Sequence, residues 1–433
     1  MRLHRTALAA ALAACMLAPG LAHAAGYGIY EQSASVLGMA GAGTASVGDA
    51  SANYYNPAAL TRLDGRQLDF GATWLYTNVS FAGMDPYPGY GVTEQMNPGN
   101  FFPATFYWAD HFRKNWAYGV GVNAPFGLGV DWKNPDTFTD RAYVTKADLR
   151  SIDANFNLAW QYSPTLSLAA GINDMFAGVE LRRTVPSGAA IPGGGGEPLM
   201  VKAHLKGGYS SAIAANAALL WTPDPDWTFG VNYRGGTKVA VDNGTADFTL
   251  VPTGNAAVDA YAVGLMPPTQ GVSTELQLPA LLSVAAAWKP QPDWTWELDV
   301  NRTSWSSFKE LDLTFAKTPA LNTTVTEDYR DSYRVSLGAE HRLKRCTYRF
   351  GYYFDQAAAP VQSVTALLPD ANRHGATLGL SWKLGAKKAY TLDLYNLALF
   401  VEDRNTEGQN SHGFDGTYKS YVNASGASVA YRW

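Results

Sequence analysis

WTPDPDWTFGV at residues 221–231 and WKPQPDWTWEL at 288–298 are two versions of one pattern. An aromatic precedes a Pro/Asp turn, a second aromatic follows it, and apolar and polar residues then alternate. A turn this short joins antiparallel neighbours. Tryptophans on both sides of it suit a boundary with one oily and one wet side, as where a bilayer meets water. The pattern predicts hairpins of a β-barrel standing in a membrane.

Alternation with a period of two runs outward from both repeats. After the first, Trp227, Phe229, Val231 and Tyr233 alternate with Thr228, Asn232 and Arg234; after the second, Trp294, Trp296, Leu298 and Val300 alternate with Thr295, Glu297, Asp299 and Asn301. Upstream, Ile152, Ala154, Phe156, Leu158, Trp160 and Tyr162 alternate with Asp153, Asn155, Asn157 and Gln161. A charged second face must meet water or other charges. In a soluble sandwich that face is the exterior; in a membrane barrel it is the lumen, and the apolar face meets lipid. The barrel reading puts Asp153, Glu297, Asp299, Arg334, Arg349, Asp355, Asp393 and Arg432 inside.

Connections alternate in length. Short ones fall at 113–115, 163–165, 223–226, 290–293, 343–345 and 385–387, and long ones near 82–100, 130–147, 184–205, 245–272, 310–328, 357–371 and 403–418. Short turns on one side and long loops on the other is the asymmetry of outer-membrane barrels, with the short turns periplasmic. Counting from Gln67 to Trp433 gives about 14 strands, an even number as bacterial single-chain barrels have. The expected fold is all-β: a transmembrane antiparallel barrel over 67–433. Its last strand, Val429 to Trp433, ends on an aromatic and resembles the signal read by the barrel-assembly machinery.

Composition agrees. Mean hydropathy is -0.15, yet aromatics make up 13% of the chain. Lumen-facing residues dilute the apolar signal of each barrel strand in this way. A net charge of -4 without a basic run leaves no footprint for nucleic acid. Residues 1–24 read as a signal peptide: basic Arg2 and Arg5, an apolar core from Ala7 to Leu21, and the A-x-A site Ala22-His23-Ala24. Leu12 to Cys15 also admits a lipoprotein box, but the apolar core continues past it. Cleavage after Ala24 leaves Cys346 as the single thiol and therefore no intrachain disulfide.

Residues 25–66 do not alternate. Rich in Gly, Ala and Ser, with short helical stretches expected at 35–40 and 58–63, they also carry Ile29, Val36, Leu37, Met39, Tyr54 and Tyr55. Disordered tails are poor in such groups, so a compact plug inside the lumen is expected.

The motifs Ala25-Gly26-Tyr27, Glu31-Gln32-Ser33 and Ser51-Ala52-Asn53-Tyr54-Tyr55-Asn56-Pro57-Ala58 resemble the FadL/TodX outer-membrane transporters of long-chain fatty acids and hydrocarbons. The likeness continues through Ala124 to Leu128, Leu278-Pro279, Thr303 to Ser306 and Tyr329 to Arg334, spanning almost the whole mature chain. It implies a fourteen-stranded barrel closed by an N-terminal hatch, in which Asn56, Pro57 and Ala58 mark the plug. An apolar ligand would be caught among outer loops, pass to a pocket near Tyr27, and leave sideways beside a kinked third strand. Pro125, flanked by Phe126 and Gly127, lies in that strand; proline cannot donate to the ladder and breaks it, or else simply ends it near the outer loop.

Other expectations concern the ligand. Val258, Tyr261, Ala262 and Leu265 form an i, i+3, i+4, i+7 stripe followed by Met266, which with Leu199, Met200 and Val201 would line a receiving groove or stiffen the mouth. Arg183 matches a basic position of the family's inner pocket and would hold a carboxylate; otherwise Arg182 or Arg183 is a lumen charge paired with Glu180. A second basic position of that pocket falls near Val325, leaving Arg330 as the nearest substitute. No catalytic motif occurs, Gly193 to Gly196 lack the Lys-Ser/Thr of a phosphate cradle, and Glu402, Asp403, His412 and Asp415 lack the spacing of a cation site. The expected protein is thus a monomeric, non-enzymatic importer without cofactor or metal, set in outer-membrane lipid and lipopolysaccharide. Fatty acid, aromatic hydrocarbon and a general porin remain as readings.

Overall fold

The computed structural model describes residues 26–190, 198–385 and 389–433. The expected signal peptide, Gly193 to Gly196 and most of the turn at 385–387 lie outside the described residues. Fourteen antiparallel strands close into a barrel. They are β1 (Gln67–Gly83), β2 (Ala104–Arg113), β3 in two pieces (Trp116–Asn123 and Gly127–Asp131), β4 (Lys146–Ser163), β5 (Leu166–Ala190) and β6 (Pro198–Trp221). Two more are bipartite, β7 (Trp227–Arg234 and Thr237–Leu250) and β8 (Gln270–Leu278 and Leu281–Gln291). The rest are β9 (Trp294–Thr303), β10 (Ser332–Arg342), β11 (Cys346–Asp355), β12 (Arg373–Leu384), β13 (Tyr390–Val401) and β14 (Gly416–Arg432). β1 pairs with β14 from Gln67↔Arg432 to Gly83↔Gly416 and closes the wall.

The two faces have the inverse of a soluble protein's distribution. Asp153, Asn155 and Asn157 are buried, whereas Ile152, Phe156 and Leu158 on the alternate face of β4 are exposed. Exposure of one apolar face all around a closed sheet excludes the sandwich and requires lipid outside. Of the charges expected inside, Asp153, Glu297, Asp299, Arg334, Asp355 and Asp393 are buried, and Arg349 bonds to Glu340 at 2.6 Å. Arg432 is on the inner face too, at the periplasmic rim, where it lines the vestibule and pairs with Asp64 of the hatch at 3.2 Å.

The two Trp repeats turn out to be neighbours. β7 pairs with β8 so that Trp227 faces Trp288 with ring centroids 6.1 Å apart, and Trp221 packs on Phe229 at 5.5 Å. The girdle continues with Trp116 stacked on its register partner Trp160 at 5.6 Å, and with Trp108 against Trp433 at 5.4 Å.

The long connections are shorter than expected on one side. β5 and β6 extend to Ala190 and resume at Pro198, pairing far beyond the 9–11 residues that span a bilayer. Much of the expected loop at 184–205 is therefore strand. The two hold each other as a projecting ribbon, joined by the upper piece of β7.

Residues 26–66 fill the lumen as a hatch of α1 (Ala34–Leu37), α2 (Ala52–Tyr55) and a 3-10 turn over Pro57–Arg62. The Asn-Pro-Ala element has a direct physical account. Asn56 Oδ1 accepts from Ala58 N at 3.0 Å and caps the turn, and Pro57 sits at its first position, where a missing N–H costs nothing. The Asn56 amide donates to Thr44 O at 2.7 Å within the hatch and to Leu219 O at 3.1 Å on β6. Fully buried Ala58 leaves no room for a larger side chain.

Lumen acids hold the hatch elsewhere. Ala45 N donates to Glu297 Oε1 at 2.6 Å, and Thr44 N to Asp299 Oδ2 at 3.1 Å. Close approach needs glycine on the facing wall: a Cβ at Gly338 would meet Met39 O at 2.5 Å, and one at Gly351 would meet Met39 C at 2.7 Å.

Candidate functional site

The wall is incomplete at β3. Its lower piece pairs with β2 from Arg113↔Trp116 to Phe106↔Val122, but its upper piece, Gly127–Asp131, pairs with β4 alone. Ala124-Pro125-Phe126 separates the pieces, and Pro125 has no N–H with which to continue the ladder. Contact with the first hairpin resumes farther out, where Met96 bridges Trp132 and Asn97 N donates to Asp131 O at 2.7 Å. A window in the hydrogen-bonded wall lies between those two closures.

The start of the hatch covers this window from within. Ile29 N donates to Pro125 O at 2.8 Å, and Gly127 N donates to Tyr27 O at 2.9 Å. Gln32 spans the kink, its Nε2 donating to Ala124 O at 2.9 Å and its Oε1 accepting from Ala124 N at 3.3 Å. Residues 27–32 thus behave as a short strap that supplies the partners β2 does not. Phe101 fills part of the opening itself: a Cβ at Gly129 would lie 2.2 Å from its ring.

A cavity of about 530 Å³ passes through this region. Its lining includes the buried or half-buried Glu31, Arg334, Tyr353, Asp355 and Arg373, the apolar Ile29, Leu75, Val79 and Leu399, and the exposed Phe102, Arg150 and Tyr209. Phe102 and Tyr209 are exposed on the lipid side. The cavity is therefore an apolar passage, polar at the lumen end and open toward the bilayer, within the size range of small-molecule sites.

Arg334 lies over the rings of Tyr353 and Tyr30 at 3.6 and 4.5 Å and donates to Ala40 O at 3.0 Å. Arg373 donates to Gly26 O at 3.3 Å and to Asp370 at 3.4 Å, so it holds the beginning of the strap.

Of the expected site residues, Tyr27, Phe126 and Gly127 line the cavity, and Pro125 forms its break. Tyr27 is buried, donates to Gln277 O at 2.7 Å, and packs edge-on against Trp305 at 4.5 Å. Arg183 lies on β5, half-buried, with a 3.5 Å contact to Thr323 and its Nε unpartnered. Of the two arginines expected beside Glu180, Arg182 bonds it at 2.7 Å. Arg330 is exposed, its backbone N–H bonded to Ala358 O, and does not join Arg183.

The receiving groove is not assembled as expected. Leu199 and Met200 are strand residues of β6, Leu199 fully buried; Val258, Tyr261, Leu265 and Met266 belong to α3 (Ala256–Val263) and its end. Tyr261 and Leu265 are exposed, and Ala262 is the buried member of the stripe. α3 lies against the upper piece of β7, with Val258 and Met266 half-buried.

The roles of Gln32, Phe101 and Arg373 escaped sequence reading, since each acts on a partner distant in the chain; only Gln32, within the Glu31-Gln32-Ser33 motif, offered a signal.

Outside the membrane-spanning strands, burial pushes Glu327 up to about 8 and Asp140 up to about 7. Glu327 is close to the phenols of Tyr143 and Tyr329, and the Tyr329 hydroxyl has no partner among the described residues. Glu402 is bonded by His374 and Asn372, and Asp415 by Thr406. Among the described residues no group of three or more His, Cys, Asp or Glu converges.

Residues 15–433 match the family model described as "Outer membrane protein transport protein (OMPP1/FadL/TodX)". The chain belongs to this family. A long-chain fatty acid transport protein of Escherichia coli O6:H1 is 26% identical over 443 residues, covering 96% of each chain. Outer membrane protein P1 of Haemophilus influenzae is 26% identical over 86% of this chain and 85% of its own. A solved FadL homologue from Pseudomonas aeruginosa superposes with a TM-score of 0.79 at 18% identity, covering 94% of this chain and 100% of that one. The Pseudomonas putida toluene transporter TodX gives 0.71 at 16% identity, covering 94% and 99%. The protein is accordingly an outer-membrane transport barrel.

Proposed function

We propose that the protein imports long-chain fatty acids or similar hydrophobic compounds passively, releasing them sideways through the β3 window. The observation that carries this reading is the continuity of the cavity from Arg373 in the lumen to Phe102 on the lipid face. Each methylene moved from water into such a passage gains about 0.8 kcal/mol, so a chain of about ten gains roughly 8 kcal/mol before the cost of association. Entry needs no energy source. The barrier relieved is the polar saccharide layer, which an apolar molecule crosses poorly.

Relatives named for fatty acid transport favour a ligand with a carboxylate, and Arg373, partly open to the cavity at its inner end, suits one. The TodX likeness supports an aromatic hydrocarbon as the second reading, in keeping with the apolar middle of the cavity. Uptake of labelled oleate and of labelled toluene by cells with and without the gene separates them. Loss of neither, with loss of small-sugar entry, would overturn both in favour of a porin. Removing Ala124 to Phe126, so that β3 runs straight, is expected to abolish uptake while the barrel still inserts; unchanged uptake would sink lateral release.

A further inference from the structure

We infer that the outer face of β4, β5 and β6 is a docking surface for the phosphorylated saccharide headgroup of lipopolysaccharide in the outer leaflet. Register and burial fix which side chains face outward. On β4, Ala147, Leu149 and Ser151 are buried, which puts Lys146, Asp148 and Arg150 on the face of Ile152 and Phe156. Lys146 pairs in register with Arg182 on β5, and Arg182 with His204 on β6. On β6, Leu199, Val201, Ala203 and Leu205 are buried, leaving Lys202 and Lys206 outward and exposed.

The height of these cations identifies what they meet. Arg150 and Trp160 share the lipid face of β4, ten residues apart. At ~3.4 Å per residue and a tilt of ~40° this is about 26 Å along the membrane normal, close to the ~25 Å apolar band of outer-membrane barrels. Trp160 lies beside a short turn, so Arg150 marks the opposite, extracellular edge of the hydrocarbon. Lys146, Arg182, Lys202 and Lys206 are on the part of the wall above it, at the level of headgroups.

Charge favours phosphate. Lys146, Arg150, Arg182, Lys202 and Lys206 stand with Asp148, Glu180 and Asp247 on this face; Arg150 pairs with Asp148 at 2.7 Å and Lys202 with Asp136, which leaves five cations against four acids. Glu180 lies 3.5 Å from Lys146, 2.7 Å from Arg182 and 3.1 Å from His204, holding three side chains as one cluster. The patch is one-sided. The outward residues at the outer ends of β10 to β14 are Tyr333, Tyr352, His374, Phe400 and Tyr421, with Lys419 already paired to Asp403. Juxtamembrane cations attract anionic headgroups of the adjacent leaflet. Because Arg150 and Tyr209 also border the wall cavity, a docked lipid stands beside the window and forms its outer rim.

The test is native mass spectrometry of the full-length protein in detergent with bisphosphorylated lipid A, the same lipid dephosphorylated, and phosphatidylglycerol. The triple variant Arg182→Gln, Lys202→Gln, Lys206→Gln is compared with Lys238→Gln, Arg302→Gln, Lys419→Gln elsewhere on the barrel. We expect the first to weaken lipid A binding at least about tenfold, as dephosphorylation does, and the second to change it less than about twofold. Equal binding by the patch variant, an equal loss in the control variant, or equal binding of dephosphorylated lipid A or phosphatidylglycerol would overturn the inference. Should the patch variant not fold, the wild-type lipid comparison decides by the same criteria.

Discussion

Asn56 does three things with one side chain: it caps the Pro57–Arg62 turn, bonds Thr44 within the hatch, and bonds Leu219 on the wall. Losing a cap costs about 1 kcal/mol, and a buried partner left unpaired about 1–3 kcal/mol. Asn56→Ala is therefore expected to loosen the hatch by ~2–4 kcal/mol while the closed ladder keeps the barrel folded. Hydrogen exchange over 43–62 should rise and exchange in the strands should not. Glu327 offers a second handle. Its folded pKa, about 8, lies above its unfolded value, so its contribution is complete below the unfolded pKa and fades as pH rises toward 8. The outer mouth should accordingly become easier to proteolyse between pH 5 and 8, and Glu327→Gln should flatten that dependence. A wild-type slope retained in the variant would assign it to another group such as Asp140.

At the scale of elements, the strap and the kinked strand form one unit. Gln32 bonds both polar backbone groups of Ala124, so Gln32→Leu removes two tethers and should raise exchange over 27–32 several-fold, leaving the Glu297-held segment at 43–45 unchanged. Equal loosening of both would mean the hatch moves as one body. Much of this level was legible in advance. Alternation of Ile152 with Asp153 records which face meets lipid, because a barrel strand has one wet and one oily side along its whole length. Pro125 announced the break because proline lacks the donor that a ladder needs. What escaped reading was set by partners far away. The ribbon of β5 and β6 keeps alternating beyond the bilayer, so periodicity alone does not mark where membrane ends and projection begins; only the change from apolar to charged residues on its outward face, at Glu180, Arg182, Lys202 and Lys206, does. The stripe Val258–Leu265 has helical spacing, and a helix forms there, but Ala262 is its one fully buried member.

Across the whole molecule, a closed ladder, an internal hatch and a wall opening occur together: the ladder closes the barrel, residues 26–66 occupy the lumen, and under the proposed function the window gives apolar cargo a route that avoids water. Below the hatch lies a periplasmic vestibule lined by Ser46, Lys289, Arg342 and Lys383, a charged surface that an apolar molecule would cross unfavourably. The two routes are separated by where the ligand touches protein. A photo-crosslinking residue placed at Phe102 or at Ser46, in cells taking up labelled oleate, reads this directly. Lateral release predicts label at Phe102 and none at Ser46; label at Ser46 with none at Phe102 would contradict it.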